Sequence, residues 1–172
     1  QTLFPALHCI EQEDLSLGIR GALLSSLPKI GKGPVMIVSS NDIIGRDGYA
    51  RILQASQKGD GALLAKRVQQ YFPGGYIRTE GDRIIGVVEK PGEGNEPSDL
   101  VNIVAHVHKD PKALLDALRT LSSPQEDGYE QALTKLFERL TYRTAPYDGP
   151  WFPVKFPWNL LPLLTHFLGE MA

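Results

Sequence analysis

Apolar residues fall in short runs whose period changes along the chain, and the period predicts the elements. Leu7 to Glu11 reads as a short buried strand, with Cys9 as a small buried side chain. Ser16 is placed to cap a helix from Leu17 to about Leu27. Gly18 and Gly21 weaken that helix, which suggests close approach of another group to its backbone. Pro34 to Ser39 has a continuous apolar centre, as in a strand inside a parallel sheet, and runs out into Ser39-Ser40-Asn41-Asp42. Asp47 to about Gln57 is amphipathic, with Tyr49, Ile52 and Leu53 on one face. Gly61 to Val68 reads as a strand, and Tyr71 to Tyr76 as a turn with a double glycine. Ile77 to Thr79 and Arg83 to Glu89 flank Glu80-Gly81-Asp82, a hairpin signal. Leu100 to His108 alternates through Val101, Ile103, Ala105 and Val107, which predicts a strand with one buried face. Pro111 opens a helix to about Leu121, and Gly128 to Leu140 carries Leu133, Leu136, Phe137 and Leu140 at helical spacing. Thr141 to Ala145 and Trp151 to Val154 read as strands, and Pro157 opens a last helix over Trp158 to Leu168.

Strands alternate with helices in the first half, and a hairpin interrupts the middle. The expected fold class is α/β: a Rossmann-like, mostly parallel sheet with helices on both faces and an antiparallel hairpin insertion. Ligands on such sheets sit beyond the carboxyl ends of the strands, where Asp42 and Glu89 are expected. No stretch reads as an interdomain linker; Ser122 to Asp127 is a short polar loop. Residues 1–172 are therefore expected to form a single domain.

Composition narrows the function classes. Hydrophobic content is 42% and charged content 22%, ordinary for a globular chain. A net charge of -2 argues against nucleic acid as a partner. A single cysteine excludes an internal disulfide, and nothing resembles a zinc site or a secretion signal. No apolar stretch approaches the ~20 residues of a membrane helix, so no membrane is expected and the cytoplasm is the default location.

Glu89-Lys90-Pro91 at a strand end and Asn102 at the next strand's start put a carboxylate, an ammonium and an amide side by side. These groups suit a polyhydroxylated ligand carrying a phosphate; a Pro-terminated edge strand with a solvated loop is the plain alternative. Asp42 after a buried strand suits Mg²⁺ or, equally, an Asx-turn. The Gln12 amide matches the imide edge of uracil or thymine, and Gly18 would let a base lie flat; a surface residue and a helix start explain them as well. His106 and His108 share a strand face and read as ordinary strand residues; half a metal site is the lesser alternative, with no third ligand apparent. Trp151 and Trp158 read as core or sugar-proximal packing.

Taken together, these positions resemble the sugar nucleotidyltransferase family, over about Ala6 to Leu164. The resemblance rests on Gln12-x5-Gly18-x3-Ala22, Asn41-Asp42, Gly74-Gly75-Tyr76-Ile77, Val88-Glu89-Lys90-Pro91, Leu100-Val101-Asn102, Trp151 and Pro157-Trp158-Asn159-Leu160-Leu161. Gly94 to Leu100 looks like the glucose-1-phosphate or N-acetylglucosamine-1-phosphate branch. The resemblance implies a nucleotide-diphospho-sugar transferase fold and nucleotidyl transfer from a nucleoside triphosphate, UTP or dTTP favoured, to a hexose 1-phosphate. It implies that Gln12 and Gly18 bind the nucleotide, that Asp42 binds Mg²⁺, and that Asp42 and Lys90 are catalytic. It likewise implies that Gly75, Glu89, Lys90 and Asn102 bind the sugar or its phosphate.

The sequence departs from the family pattern in four places. The family opens with a glycine-rich loop bearing Arg and Lys; this sequence opens at Gln1, so a domain truncated before that loop is expected. Asn41-Asp42 replaces Gly-Asp. Pro153 replaces an Asp that serves as a second metal ligand two residues after the tryptophan. Asn159 replaces a helix-capping Asp, a role Asn also fills. Two readings follow: a hexose-1-phosphate nucleotidyltransferase, or a catalytically degenerate relative that binds a nucleotide sugar or regulates a partner. A glycosyltransferase would show Asp-x-Asp, which is absent. A homo-oligomer is left open.

Overall fold

The protein is described by a computed structural model, which covers residues 7–121 and 128–171. The predicted loop Ser122 to Asp127 lies outside the described residues. A six-stranded sheet is built from β1 (Val35–Val38), β3 (Gly61–Arg67), β4 (Gly75–Glu80), β5 (Arg83–Glu89), β6 (Leu100–His108) and β7 (Tyr142–Tyr147). Its order is β1-β6-β3-β7-β5-β4. Tyr76 of β4 also pairs with Val101 of β6, so the far edge curls back towards the middle, as in a small barrel. A two-stranded ribbon joins β2 (Asp42–Ile44) to β8 (Trp151–Pro153). The helices are α1 (Gly18–Ser26), α2 (Arg46–Ser56), α3 (Pro111–Arg119), α4 (Gly128–Phe137) and α5 (Leu160–Met171).

The expectation of a mostly parallel, Rossmann-like sheet is corrected. Among the described residues only β3 and β7 pair in parallel; β1–β6, β3–β6, β4–β5, β4–β6 and β5–β7 are antiparallel. β1 and β3 do run the same way, as a strand–helix–strand unit demands, since both oppose β6. β6, from later in the chain, inserts between them. The sequence shows the helix-linked pair but carries no signal for the strand that separates it.

Helices on both faces are found. Along β3, Leu63 and Ala65 enter one core with Leu23 of α1, Leu114 and Leu118 of α3, and Leu133 and Phe137 of α4. Ala62 and Leu64 enter the other with Ile52 of α2 and Ile103, Ala105 and Val107 of β6. This period-two split explains the continuous apolar run of β3. β6 is likewise buried along both faces, not one as its alternation suggested, because helices cover each side.

Local signals account for most boundaries. Asp110 caps α3 by accepting from the Lys112 and Ala113 amides, with Pro111 at the first helical position. The hairpin turns at Gly81, whose φ of 62° is left-handed. Three expectations fail near the start. Leu7 to Glu11 forms no strand, for no described strand pairs with it; Leu7 and Cys9 are exposed. Asp14, not Ser16, is the first cap, over a 3-10 turn at Leu15–Leu17 that precedes α1. In α2 Ile52 is buried and Tyr49 half-buried, but Leu53 is half exposed, so the apolar stripe is narrower than expected.

His106 and His108 are buried in the core, and burial holds both imidazoles neutral. His106 lies well below the ordinary 6.5, by burial and then by its neighbour His108; His108 falls to about 3 by burial. The unfolded chain takes up these protons near pH 6.5 and the folded protein does not, so stability is complete above that pH and lost as pH falls towards 3. The unfolding free energy measured by chemical denaturation should fall below pH 6.5, with a slope of up to about 1.4 kcal/mol per pH unit for each histidine. His108→Gln should flatten that slope. A profile for the unaltered protein that stays level from neutral to acid pH would refute it.

Candidate active site

Three pieces of backbone converge on one cleft of about 270 Å³. The first is the β2–β8 ribbon, in which Asp42 stands directly opposite Pro153. It is tied to the sheet by the Ser39 amide, which donates to Val104 O of β6 at 2.8 Å, and its own pairing is extended by the Val154 amide, which donates to Asn41 O at 2.7 Å. The second is the β4–β5 pair, where Gly75 faces Glu89. The third is the start of β6, carrying Asn102.

Gly75 explains why two of these side chains can meet. A Cβ there would lie 3.0 Å from Glu89 Oε2 and 3.7 Å from Asn102 Cβ. Bare backbone at this point leaves the carboxylate and the amide room to flank it. The Lys90 amide donates to Gly74 O at 3.1 Å and closes the end of the pair. Lys90 Nζ lies 3.8 Å from Glu89 Oε1; its side chain is largely exposed, so the pair holds neither group tightly.

Asp42 is half-buried. Burial raises its carboxyl above the ordinary range, while donation from Trp151 Nε1 at 3.1 Å and the charge of Lys155 act the other way. The Trp151 ring is held at 5.1 Å from Phe72, and Lys155 Nζ lies 5.9 Å over the Phe72 ring. Among the described residues no group of three or more His, Cys, Asp or Glu could hold a metal ion. The donor set at Asp42 is one carboxylate with a proline opposite. That set fits Mg²⁺ only as an ion shared with substrate phosphates, which is how Mg²⁺ is commonly bound.

Of the residues singled out from sequence, Asp42, Gly75, Glu89, Lys90 and Asn102 all line the cleft. Gln12 and Gly18 do not; Ile19, next in the chain, does. The Gln12 amide NH2 donates to Asp14 O at 2.7 Å and to Gly18 O at 3.0 Å, so its oxygen alone is left for a base edge. It also lies against Gly21, where a Cβ would come within 2.5 Å of its nitrogen. Gly18 takes a left-handed φ of 53°. The close approach expected at these glycines therefore comes at Gly21 from the chain's own loop.

The half metal site, the lesser of the two readings of His106 and His108, is not formed: their ring nitrogens meet Tyr129, Tyr142 and Asn102. Asn159 accepts from the Lys155 and Phe156 amides and so caps the turn before α5, as expected. Sequence reasoning missed Phe72 and Lys155. Phe72 follows a tyrosine in a turn and has no periodic partner, and a lone lysine carries no positional signal.

No family model matches the chain. It is 28% identical over 170 residues to the bifunctional protein GlmU of Methanococcus maripaludis, a span that is 97% of this chain and 39% of that protein. Among solved structures, an apo UDP-glucose pyrophosphorylase superposes with a TM-score of 0.79 at 19% identity, covering 94% of this chain and 63% of that one. A UTP-bound UGPase from Acinetobacter baumannii gives 0.71 at 18% identity, covering 88% and 56%. The chain thus spans well under half of the curated relative and under two thirds of these structures.

Among the described residues Trp151 supplies the one hydrogen bond that holds down the Asp42 carboxyl. Trp151→Phe should therefore raise the Asp42 pKa further, as read by carboxyl-carbon NMR titration; an unmoved midpoint would show that the bond does not bear on Asp42. In sequence likeness and in fold, this chain resembles the sugar nucleotidyltransferases.

Proposed function

We propose that this domain transfers a nucleotidyl group from a nucleoside triphosphate, UTP or dTTP favoured, to a hexose 1-phosphate. The observation that carries the reading is the meeting of Asp42, Gly75, Glu89, Lys90 and Asn102 in one cleft. The likeness to GlmU and to a UTP-bound UGPase supports the same class. A sugar-phosphate oxygen attacks the α-phosphorus in line, the new P–O bond forms, and the bond to pyrophosphate breaks. Such a step calls for positioning and charge neutralisation rather than a covalent intermediate.

Each group has work suited to it. Glu89 accepts from sugar hydroxyls, Asn102 bonds the hexose, and the Gly75 backbone amide faces the sugar. Lys90 and Lys155 offer positive charge to phosphate oxygens. Gln12 and Gly18 would meet the base through the Gln12 oxygen and the nearby backbone. Mg²⁺, when bound, would offset phosphate charge, and Asp42 is the residue to hold it. A nucleoside triphosphate and a sugar 1-phosphate are then the partners of a single domain.

A second reading, a binding or regulatory relative that does not turn over, is favoured by Pro153 facing Asp42. Two measurements separate them. UDP- or dTDP-sugars with Mg²⁺ should raise the melting temperature, and Glu89→Ala should abolish that shift; a shift that survives counts against the site. Pyrophosphate release from UTP and glucose 1-phosphate should be lost in Asp42→Ala. Binding without release in the unaltered protein would select the second reading.

A further inference from the structure

Behind Asn102 lies a chain of buried polar groups that the proposed chemistry does not use. Asn102 Oδ1 is 2.8 Å from His106 Nε2, and His106 Nδ1 is 2.6 Å from the Tyr129 hydroxyl. That hydroxyl is 3.4 Å from His108 Nε2, and His108 Nδ1 is 2.7 Å from the Tyr142 hydroxyl. Both imidazoles and both tyrosines are almost completely buried.

A neutral imidazole has one N–H and one bare nitrogen, and a phenol has one proton. The chain therefore has two self-consistent senses. In one, Tyr142 donates to His108 Nδ1, His108 Nε2–H to Tyr129, Tyr129 to His106 Nδ1, and His106 Nε2–H to Asn102 Oδ1. In the other every proton is reversed, and Asn102 donates inward.

The two ends decide between them. Among the described residues the Tyr142 hydroxyl has His108 Nδ1 as its one hydrogen-bond partner. In the reversed sense its proton would be buried without an acceptor, an arrangement folded proteins avoid. In the first sense that proton is used, and the group left over is the Asn102 NH2, at the wall of a cleft that water or ligand reaches. Burial favours neutral imidazoles, as both senses require.

We propose that His106, backed by Tyr129, His108 and Tyr142, is a positioning residue that holds the Asn102 amide oxygen inward and its NH2 toward the cleft. The cleft then reads a hydrogen-bond acceptor on the ligand at that point, such as a hydroxyl or carbonyl oxygen. The direction of the chain stands on the core alone; only the identity of the ligand rests on the sugar-phosphate reading.

Long-range proton–nitrogen NMR on the full chain at neutral pH reads the tautomers directly. Both His106 and His108 should carry the proton on Nε2; an Nδ1–H form at either ring overturns the proposal. Titration with glucose 1-phosphate tests the consequence. His106→Leu, which has no donor for Asn102, should weaken binding about tenfold, while His106→Gln, which keeps an N–H, should stay within about threefold. A folded His106→Leu protein that binds as tightly as the unaltered one overturns the positioning role. If the unaltered protein does not bind glucose 1-phosphate, the sugar-phosphate reading fails, while the tautomers still uphold or overturn the relay.

Discussion

Strand β6 lies between neighbours on both edges and under apolar cover on both faces, so every polar side chain it carries inward must be satisfied from within the protein. It carries two histidines there. Tyr129 comes from α4 and Tyr142 from β7, so satisfying the histidines pins a helix and a distant strand to the middle of the sheet. A hydrogen bond of this kind contributes only about 1 kcal/mol net, but leaving a buried partner unmade costs about 1–3 kcal/mol. The network therefore selects one packing of α4 and β7 against β6 more than it adds stability. Its open end is Asn102, and the cleft inherits that order.

The cleft draws on the fold in a second way. Asp42 belongs to a ribbon outside the main sheet, yet the Ser39 amide continues the β1–β6 ladder by one bond and fixes where the ribbon leaves. The β4–β5 hairpin reaches β6 through Tyr76↔Val101 and brings Gly75 beside Asn102. The curl of the sheet is thus what unites groups that a flat sheet of the same strand order would hold apart. Opposed charges line the result: Asp42, Glu89 and Glu130 against Lys90 and Lys155. A ligand with both hydroxyls and phosphates uses both signs.

Much of this was legible in the sequence, for identifiable reasons. The hairpin at Gly81 and the helix after Asp110-Pro111 are set by local stereochemistry, and local rules found them. The convergence of Asp42, Glu89 and Asn102 was anticipated because each sits at a strand end. The sheet's mixed sense was not legible, since strand order depends on contacts between segments far apart in the chain. The histidines were read as plain strand residues, with half a metal site as the lesser alternative, and their bonding was not legible because their tyrosine partners lie 21 to 34 residues away. Gln12 was read as a base contact because its amide pairs a donor with an acceptor; the carbonyls of Asp14 and Gly18 take up the donor side, which the sequence does not show. Leu7 to Glu11 has the apolar content of a strand but no described ladder to join, and content alone does not make one.

Lys90 shows how the hairpin end holds its geometry. It has a φ of 43°, the one non-glycine residue with positive φ among those described, and Pro91 follows it. A side chain in the left-handed region is unfavourable, and a following proline restricts the backbone further. The conformation persists because its amide is held by Gly74 O and the strand just before it is paired with β4. Strained backbone of this sort collects where a side chain must be held at a set angle. Here it turns the chain sharply after Glu89, so that carboxylate and ammonium leave consecutive residues yet both line the cleft. An extended strand would send consecutive side chains to opposite faces. The left-handed turn at Lys90 is thus what lets one dipeptide offer both charges to one ligand.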